Sequence, residues 1–186
     1  MNIANRITII RIFFIPIFLF ILLSGRINNA LPLAALVFLL ASLTDMLDGY
    51  LARSRGEITS LGKFLDPFAD KLLVASALIA LVQLGRLPAW IAIVIISREF
   101  LVDCLRMLAA VEGRVVAASD LGKVKTIIQI SAVIGLLIYD YPLLNYVIPF
   151  SVAPTVSLIL VYMALVSTVY SGVDYLLKCR GMFRKS

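Results

Sequence analysis

Apolar residues in this chain gather into six stretches, residues 7–23, 31–51, 61–84, 88–111, 121–139 and 147–177, joined by short connections. A backbone in lipid must satisfy its own polar groups, and a hydrocarbon core about 30 Å thick takes roughly 20 helical residues to cross. The stretches therefore predict an all-α integral membrane protein with six transmembrane helices. The last stretch is long enough to be tilted. With 62% hydrophobic and 15% charged residues among 186, and a mean hydropathy of +1.04, the chain leaves little for a soluble domain. One membrane domain over residues 1–186 is the expectation.

Residues 25–29, 85–87 and 140–145 read as turns, with Pro32, Pro88 and Pro142 marking boundaries. The first stretch follows a mixed segment and has no convincing small-residue cleavage site, so it is counted as a retained span and not as a signal peptide. Arg6, Arg11, Arg53, Arg55, Lys63, Arg114, Lys123, Lys125, Lys178, Arg180, Arg184 and Lys185 then fall on one side, and only Arg26 and Arg86 in loops on the other. By the positive-inside rule both termini and the 53–60 connection are expected in the cytoplasm. The net charge of +6 suits a basic rim against anionic lipid headgroups. Nucleic acid is not an expected partner, since no basic stretch alternates with exposed aromatics on a soluble module. Cys104 and Cys179 lack metal-site spacing, and ordinary packing is the expectation for both.

Against this background Asp45, Asp48, Asp66 and Asp70 stand out, because a carboxylate deep in a bilayer costs roughly 2.5 to 3.5 kcal/mol on insertion scales. Helical spacing puts Asp45, Asp48, Gly49 and Ala52 on one stripe of the second span, and Gly62, Asp66, Ala69 and Asp70 on one stripe of the third. A short cytoplasmic connection can turn these stripes toward each other. At about 1.5 Å per residue, Asp45 lies about 21 Å along the span, in its cytoplasmic half. Four converging carboxylates repel unless protons or cations neutralise them. The chain has no histidine, so the ligand set is all oxygen, which favours Mg²⁺, Mn²⁺ or Ca²⁺ over zinc. Two such ions would suit phosphoryl chemistry. Gly49, Ala52 and Gly62 would leave room for a bulky ligand; close helix crossing is the competing reading of these small residues, and a proton or cation pathway that of the acids.

The spacing Asp-x2-Asp-Gly-x2-Ala-Arg-x8-Gly-x3-Asp-x3-Asp, eight residues fixed over 26 positions, resembles the signature of the CDP-alcohol phosphotransferases, and every signature position is filled. Residues 5–16 (NRITIIRIFFIP), 61–73 (LGKFLDPFADKLL), 97–110 (SREFLVDCLRMLAA) and 117–129 (AASDLGKVKTIIQ) extend the resemblance to the bacterial branch that acts on glycerol 3-phosphate. The resemblance implies a six-helix membrane fold, a homodimer, and an active site open to the cytoplasm of a multi-pass cell-membrane protein. It implies that the hydroxyl of sn-glycerol 3-phosphate attacks the β-phosphorus of CDP-diacylglycerol, giving phosphatidylglycerol phosphate and CMP. It implies two metal ions, Mg²⁺ or Mn²⁺, on Asp45, Asp48, Asp66 and Asp70, with Asp70 also the general base. Gly49, Ala52, Arg53 and Gly62 then receive the cytidine diphosphate.

Glycerol 3-phosphate is a dianion that a carboxylate-rich site would repel without several cations. Arg106, Lys123 and Lys125, with Arg98, are the expected clamp for its phosphate. Positive-inside topology is the competing reading of the lysines. Glu99, Asp103 and Arg106 follow i, i+4, i+7, so an ion-pair ladder within the fourth span competes for the charges there. Asn5 and Thr8, at the cytoplasmic entrance of the first span, read first as helix caps and second as nucleotide contacts. Alternatives remain at this stage: a sibling enzyme whose acceptor is inositol phosphate, phosphatidylglycerol or serine, a small cation transporter using the carboxylates, or a purely structural membrane subunit.

Overall fold

The computed structural model describes residues 3–55, 60–111, 120–146 and 148–179. They form α1 (Ile3–Leu23), α2 (Ala30–Arg55), α3 (Ser60–Gln83), α4 (Ala89–Val111), α5 (Asp120–Ile138) and α6 (Ala153–Cys179). All regular structure among the described residues is helical.

The helix ends have local causes. After α3 the Arg86 amide donates to the Leu81 carbonyl at 2.9 Å and the Gly85 amide to that of Val82 at 3.0 Å, a Schellman closure. Gly85 takes the left-handed conformation this needs, with φ of 70°. Two residues further on, the Pro88 carbonyl accepts from Ile91 at 3.1 Å and opens α4. The expected turn at 85–87 is therefore present, with Pro88 at its boundary. The expected sixth span is shorter than its apolar run: residues 142–146 form a 3-10 turn (Pro142–Tyr146), and α6 starts at Ala153. Pro142 opens that turn, at the boundary expected, and within the 147–177 run the Pro149 carbonyl accepts from Val152 and Ala153, so α6 begins only after Pro149. Asn5 and Thr8 also correct an expectation. Since α1 already runs from Ile3, both lie within its early turns and are not its caps.

Packing follows the apolar stripes. α1 lies against α2 and α3, α5 against α6 and α2, and α4 against α6 and α3. Phe18 and Phe38 meet with ring centroids 5.8 Å apart. Around them Ile15, Ala34, Leu73, Leu81, Ile95 and Leu137 are buried, and alanines such as Ala77 and Ala164 let the backbones approach. A second small cluster, Val102, Leu105, Ala109, Tyr175 and Cys179, joins α4 to α6.

The outward faces are apolar as well. Phe13, Leu36, Ile79, Ile93, Ile127 and Val166, one from each helix, are all exposed. Among the described residues, α6 is the one helix long and apolar enough to cross a membrane by length and composition alone; residues 10–23, 30–44, 71–83 and 124–138 are shorter apolar lengths. At the turn between α3 and α4, Arg86 reaches across to α5. It donates to the Leu136 carbonyl at 2.8 Å, pairs with Asp140 at 2.5 Å and lies 4.7 Å from the centre of the Tyr139 ring.

Candidate functional site

Three buried stripes lead into the motif. On α2, Ala34, Phe38, Ala41 and Ser42 are buried, and their i, i+3, i+4 register continues through positions 45, 48, 49 and 52. On α3 the buried residues Ala77, Leu73 and Ala69 share their register with positions 70, 66 and 62. On α1, Leu22, Phe18, Ile15 and Arg11 are buried, and the same register leads back to positions 8 and 5. The backbone thus places the motif positions on α2 and α3, in helical register with these buried residues. The side chains of Asp45, Asp48, Gly49, Ala52, Arg53, Gly62, Asp66 and Asp70 lie outside the described residues, as do those of Asn5, Thr8 and Lys123.

Beside the motif, α3, α4 and α5 line an open cavity of about 450 Å³, within the range of small-molecule sites. Its walls have two characters. Lys71, Glu99, Asp103, Arg106, Lys125 and Gln129 make a charged and polar floor, while Phe68, Leu72, Phe100 and Met107 make an apolar side. Lys71 directly follows Asp70 in the chain, so the cavity borders the last motif position. The floor carries three cations and two carboxylates. Lys125, although only 4% exposed, is ion-paired with Glu99, and Lys71 is ion-paired with Asp103. Burial of Lys125 makes its pair more consequential than a surface contact, because removing one partner leaves a desolvated charge behind, whereas Lys71 and Asp103 are part-exposed.

Of the expected phosphate clamp, Arg106 and Lys125 therefore line one cavity. Arg98 does not line it. Helix α4 presents two stripes, and Arg98 belongs with Val102, Leu105 and Ala109 on the one facing α6, where its Nη2 donates to the Ser171 hydroxyl at 2.6 Å. Glu99, Asp103 and Arg106 share the other stripe, as their spacing predicts, yet they do not form the ladder within α4. Each has a partner on another helix, Glu99 on α5, Asp103 on α3, and Arg106 over the Tyr175 ring of α6, 5.5 Å from its centre, and Glu99 also lies 3.6 Å from Arg98 on α4. Interhelical partners win because side chains three and four apart on one helix can also reach a packed neighbour, and desolvation there strengthens the pair.

Cys179 is buried as expected for a packing residue, whereas Cys104 is exposed at the cavity edge. Two charged residues were missed in the sequence. Arg11, assigned to the basic rim, is only 1% exposed within the α1 stripe. Lys71 has no role assigned by the sequence patterns. The available signal for Arg11 was its spacing of three and four from Thr8 and Ile15; Lys71 had no such signal, since its partner Asp103 lies 32 residues away.

Residues 1–170 match the CDP-alcohol phosphatidyltransferase family model. The chain is 46% identical over 188 residues to the CDP-diacylglycerol–glycerol-3-phosphate 3-phosphatidyltransferase of Bacillus subtilis (strain 168), covering 95% of this chain and 94% of the relative. It is 41% identical over 177 residues to the probable phosphatidylglycerophosphate synthase of Mycobacterium tuberculosis (strain CDC 1551 / Oshkosh), covering 94% and 79%. A transferase of the first name from Haemophilus influenzae (strain ATCC 51907 / DSM 11121 / KW20 / Rd) is 38% identical over 185 residues, covering 97% and 94%.

Proposed function

The chain belongs to the CDP-alcohol phosphatidyltransferase family, and from that membership we propose that it transfers the phosphatidyl group of CDP-diacylglycerol to sn-glycerol 3-phosphate, releasing CMP. The observation that supports a phosphorylated acceptor is the cavity beside position 70, lined by Lys71, Arg106 and Lys125, and the choice of glycerol 3-phosphate rests on the names of the relatives. A phosphorylated acceptor needs such cations beside an acidic motif, and serine does not.

In this reading Asp45, Asp48, Asp66 and Asp70 hold two divalent cations, most suitably Mg²⁺, with Mn²⁺ a substitute. The donor set suits such ions by its chemistry: four carboxylates at helical spacing on α2 and α3, in a chain without histidine. When bound, the ions supply charge neutralisation for the pyrophosphate and for the departing phosphate of CMP. Gly49, Ala52, Arg53 and Gly62 receive the cytidine diphosphate, with positions 5 and 8 of α1 on the adjoining stripe. Arg106, Lys125 and Lys123 receive the acceptor phosphate. Asp70 takes the proton of the attacking hydroxyl as its oxygen bonds to the β-phosphorus, and the bond from that phosphorus to the CMP oxygen breaks. Arg98 supports this site from behind and does not enter it.

Six membrane-spanning helices, cytoplasmic termini and a cytoplasmic opening complete the proposal. The apolar outer residues on every helix support burial of the bundle in lipid. The family resemblance supports a homodimer. The test is CMP release by the purified protein with CDP-diacylglycerol and a panel of acceptors: glycerol 3-phosphate, inositol phosphate, phosphatidylglycerol and serine. Glycerol 3-phosphate should give the fastest release, chelation by EDTA should abolish it, and Mg²⁺ should restore it. Metal-independent release, or preference for another acceptor, refutes the corresponding part.

A further inference from the structure

We propose that the face of α6 carrying Ser171, Gly172 and Tyr175 is a positioning element for the acceptor site, seating the two α4 arginines that hold the cavity floor in place. This rests on the acceptor reading above and deepens it. None of the three α6 residues lines the cavity; each acts through α4.

Ser171 is buried at 3% exposure, and its hydroxyl is oriented by donating to the Thr168 carbonyl at 3.3 Å. The oxygen is left to accept from Arg98 Nη2 at 2.6 Å. Gly172 is the next residue, and a Cβ there would stand 3.0 Å from Arg98 Cγ and 3.4 Å from its Nε. The arginine stem thus lies in a groove that exists because this position has no side chain. So seated, Arg98 brings Nη1 to 3.6 Å from Glu99 Oε2, while Oε1 of the same carboxylate pairs with Lys125. Glu99 therefore bridges a guanidinium set by α6 and an ammonium at the cavity. One turn beyond Ser171, Tyr175 is buried against Val102, Leu105 and Ala109, and its ring carries the Arg106 guanidinium. Arg98 and Arg106 are two turns apart on α4, and their α6 supports are one turn apart. Two crossing helices can register both contacts at once.

The mechanism follows from ion pairing: a carboxylate flanked by one seated cation holds the second in a fixed geometry, which a mobile carboxylate does not. Loss of the α6 seat releases Glu99 and with it the Lys125 ammonium. The donor site on α2 and α3 is untouched.

The experiment uses the full-length enzyme in phospholipid–detergent micelles, with KM measured separately for glycerol 3-phosphate and CDP-diacylglycerol. Ser171→Ala and Gly172→Val should each raise the acceptor KM about tenfold, as expected for a displaced charge-assisted hydrogen bond, with the donor KM unchanged. Tyr175→Leu should raise the acceptor KM about threefold, and the ring-retaining Tyr175→Phe should recover the original value. If Gly172→Val fails to fold, Ser171→Ala and Arg98→Lys carry the same test with smaller volume changes. An equal rise of both KM values together with a lower melting temperature means general packing and overturns the proposal. Unchanged acceptor KM in the α6 variants, alongside a raised one in Lys125→Met, overturns the positioning role while leaving the acceptor site intact. Unchanged acceptor KM in Lys125→Met removes the acceptor site, and this proposal with it.

Discussion

Replacing Lys125 by methionine removes a charge from the cavity floor while keeping nearly the same stem. Two effects have to be separated. A hydrogen bond to a charged group contributes about 1.5–3 kcal/mol, and 1.4 kcal/mol is tenfold, so loss of one phosphate contact should lower kcat/KM for glycerol 3-phosphate by about 10- to 150-fold. Lys125 is also buried and paired with Glu99. Removing one member of such a pair leaves an uncompensated charge and costs about 3–5 kcal/mol of stability. Glu99 is one-fifth exposed, which places the expected loss at the lower end. The double variant Lys125→Met with Glu99→Gln removes both charges and should recover part of the stability, because the carboxylate that lost its lysine is gone while Arg98 loses its contact with Glu99. It should not recover the acceptor kcat/KM. The assay is CMP release at varied glycerol 3-phosphate, with thermal unfolding in detergent measured in parallel. Recovery of acceptor kinetics in the double variant would show that Lys125 serves only to neutralise Glu99, and would refute the phosphate contact.

Three further outcomes are expected. Asp70→Asn should abolish CMP release while CDP-diacylglycerol binding persists, since an amide cannot accept the hydroxyl proton; substantial turnover in this variant removes Asp70 as base. Arg86→Ala should lower stability by about 2 kcal/mol, mostly through the lost bond to the Leu136 carbonyl, because Asp140 is half exposed and contributes little. Substrate KM values should stay as they are, and a changed acceptor KM would mean that the two ends of the bundle are coupled. Phe13→Arg puts a charge on the exposed middle of α1, at a cost of roughly 2.5–3.5 kcal/mol of insertion if lipid surrounds that face. The readout is the membrane-integrated fraction after carbonate extraction, and an unchanged fraction argues against lipid contact there.

Local patterns determined a good deal. Apolar runs of about 20 residues yield helices wherever lipid or a core can receive them, and Gly85 with Pro88 encodes a helix end through backbone conformation alone. The motif was fully legible, because i, i+3, i+4 spacing is a property of one helix and its family signature is a property of the chain. Correct alignment of Glu99, Asp103 and Arg106 on one stripe came from the same arithmetic. Their partners did not, since Lys71, Lys125 and Tyr175 lie on three other helices, and which helix supplies a counter-charge depends on how the bundle packs. Arg98 shows the limit most clearly. One residue from Glu99, it is turned about 100° around α4 and faces α6. Hydropathy could count its charge, but only the crossing of α4 over Ser171 and Gly172 decided that this arginine stands behind the acceptor cavity and not inside it.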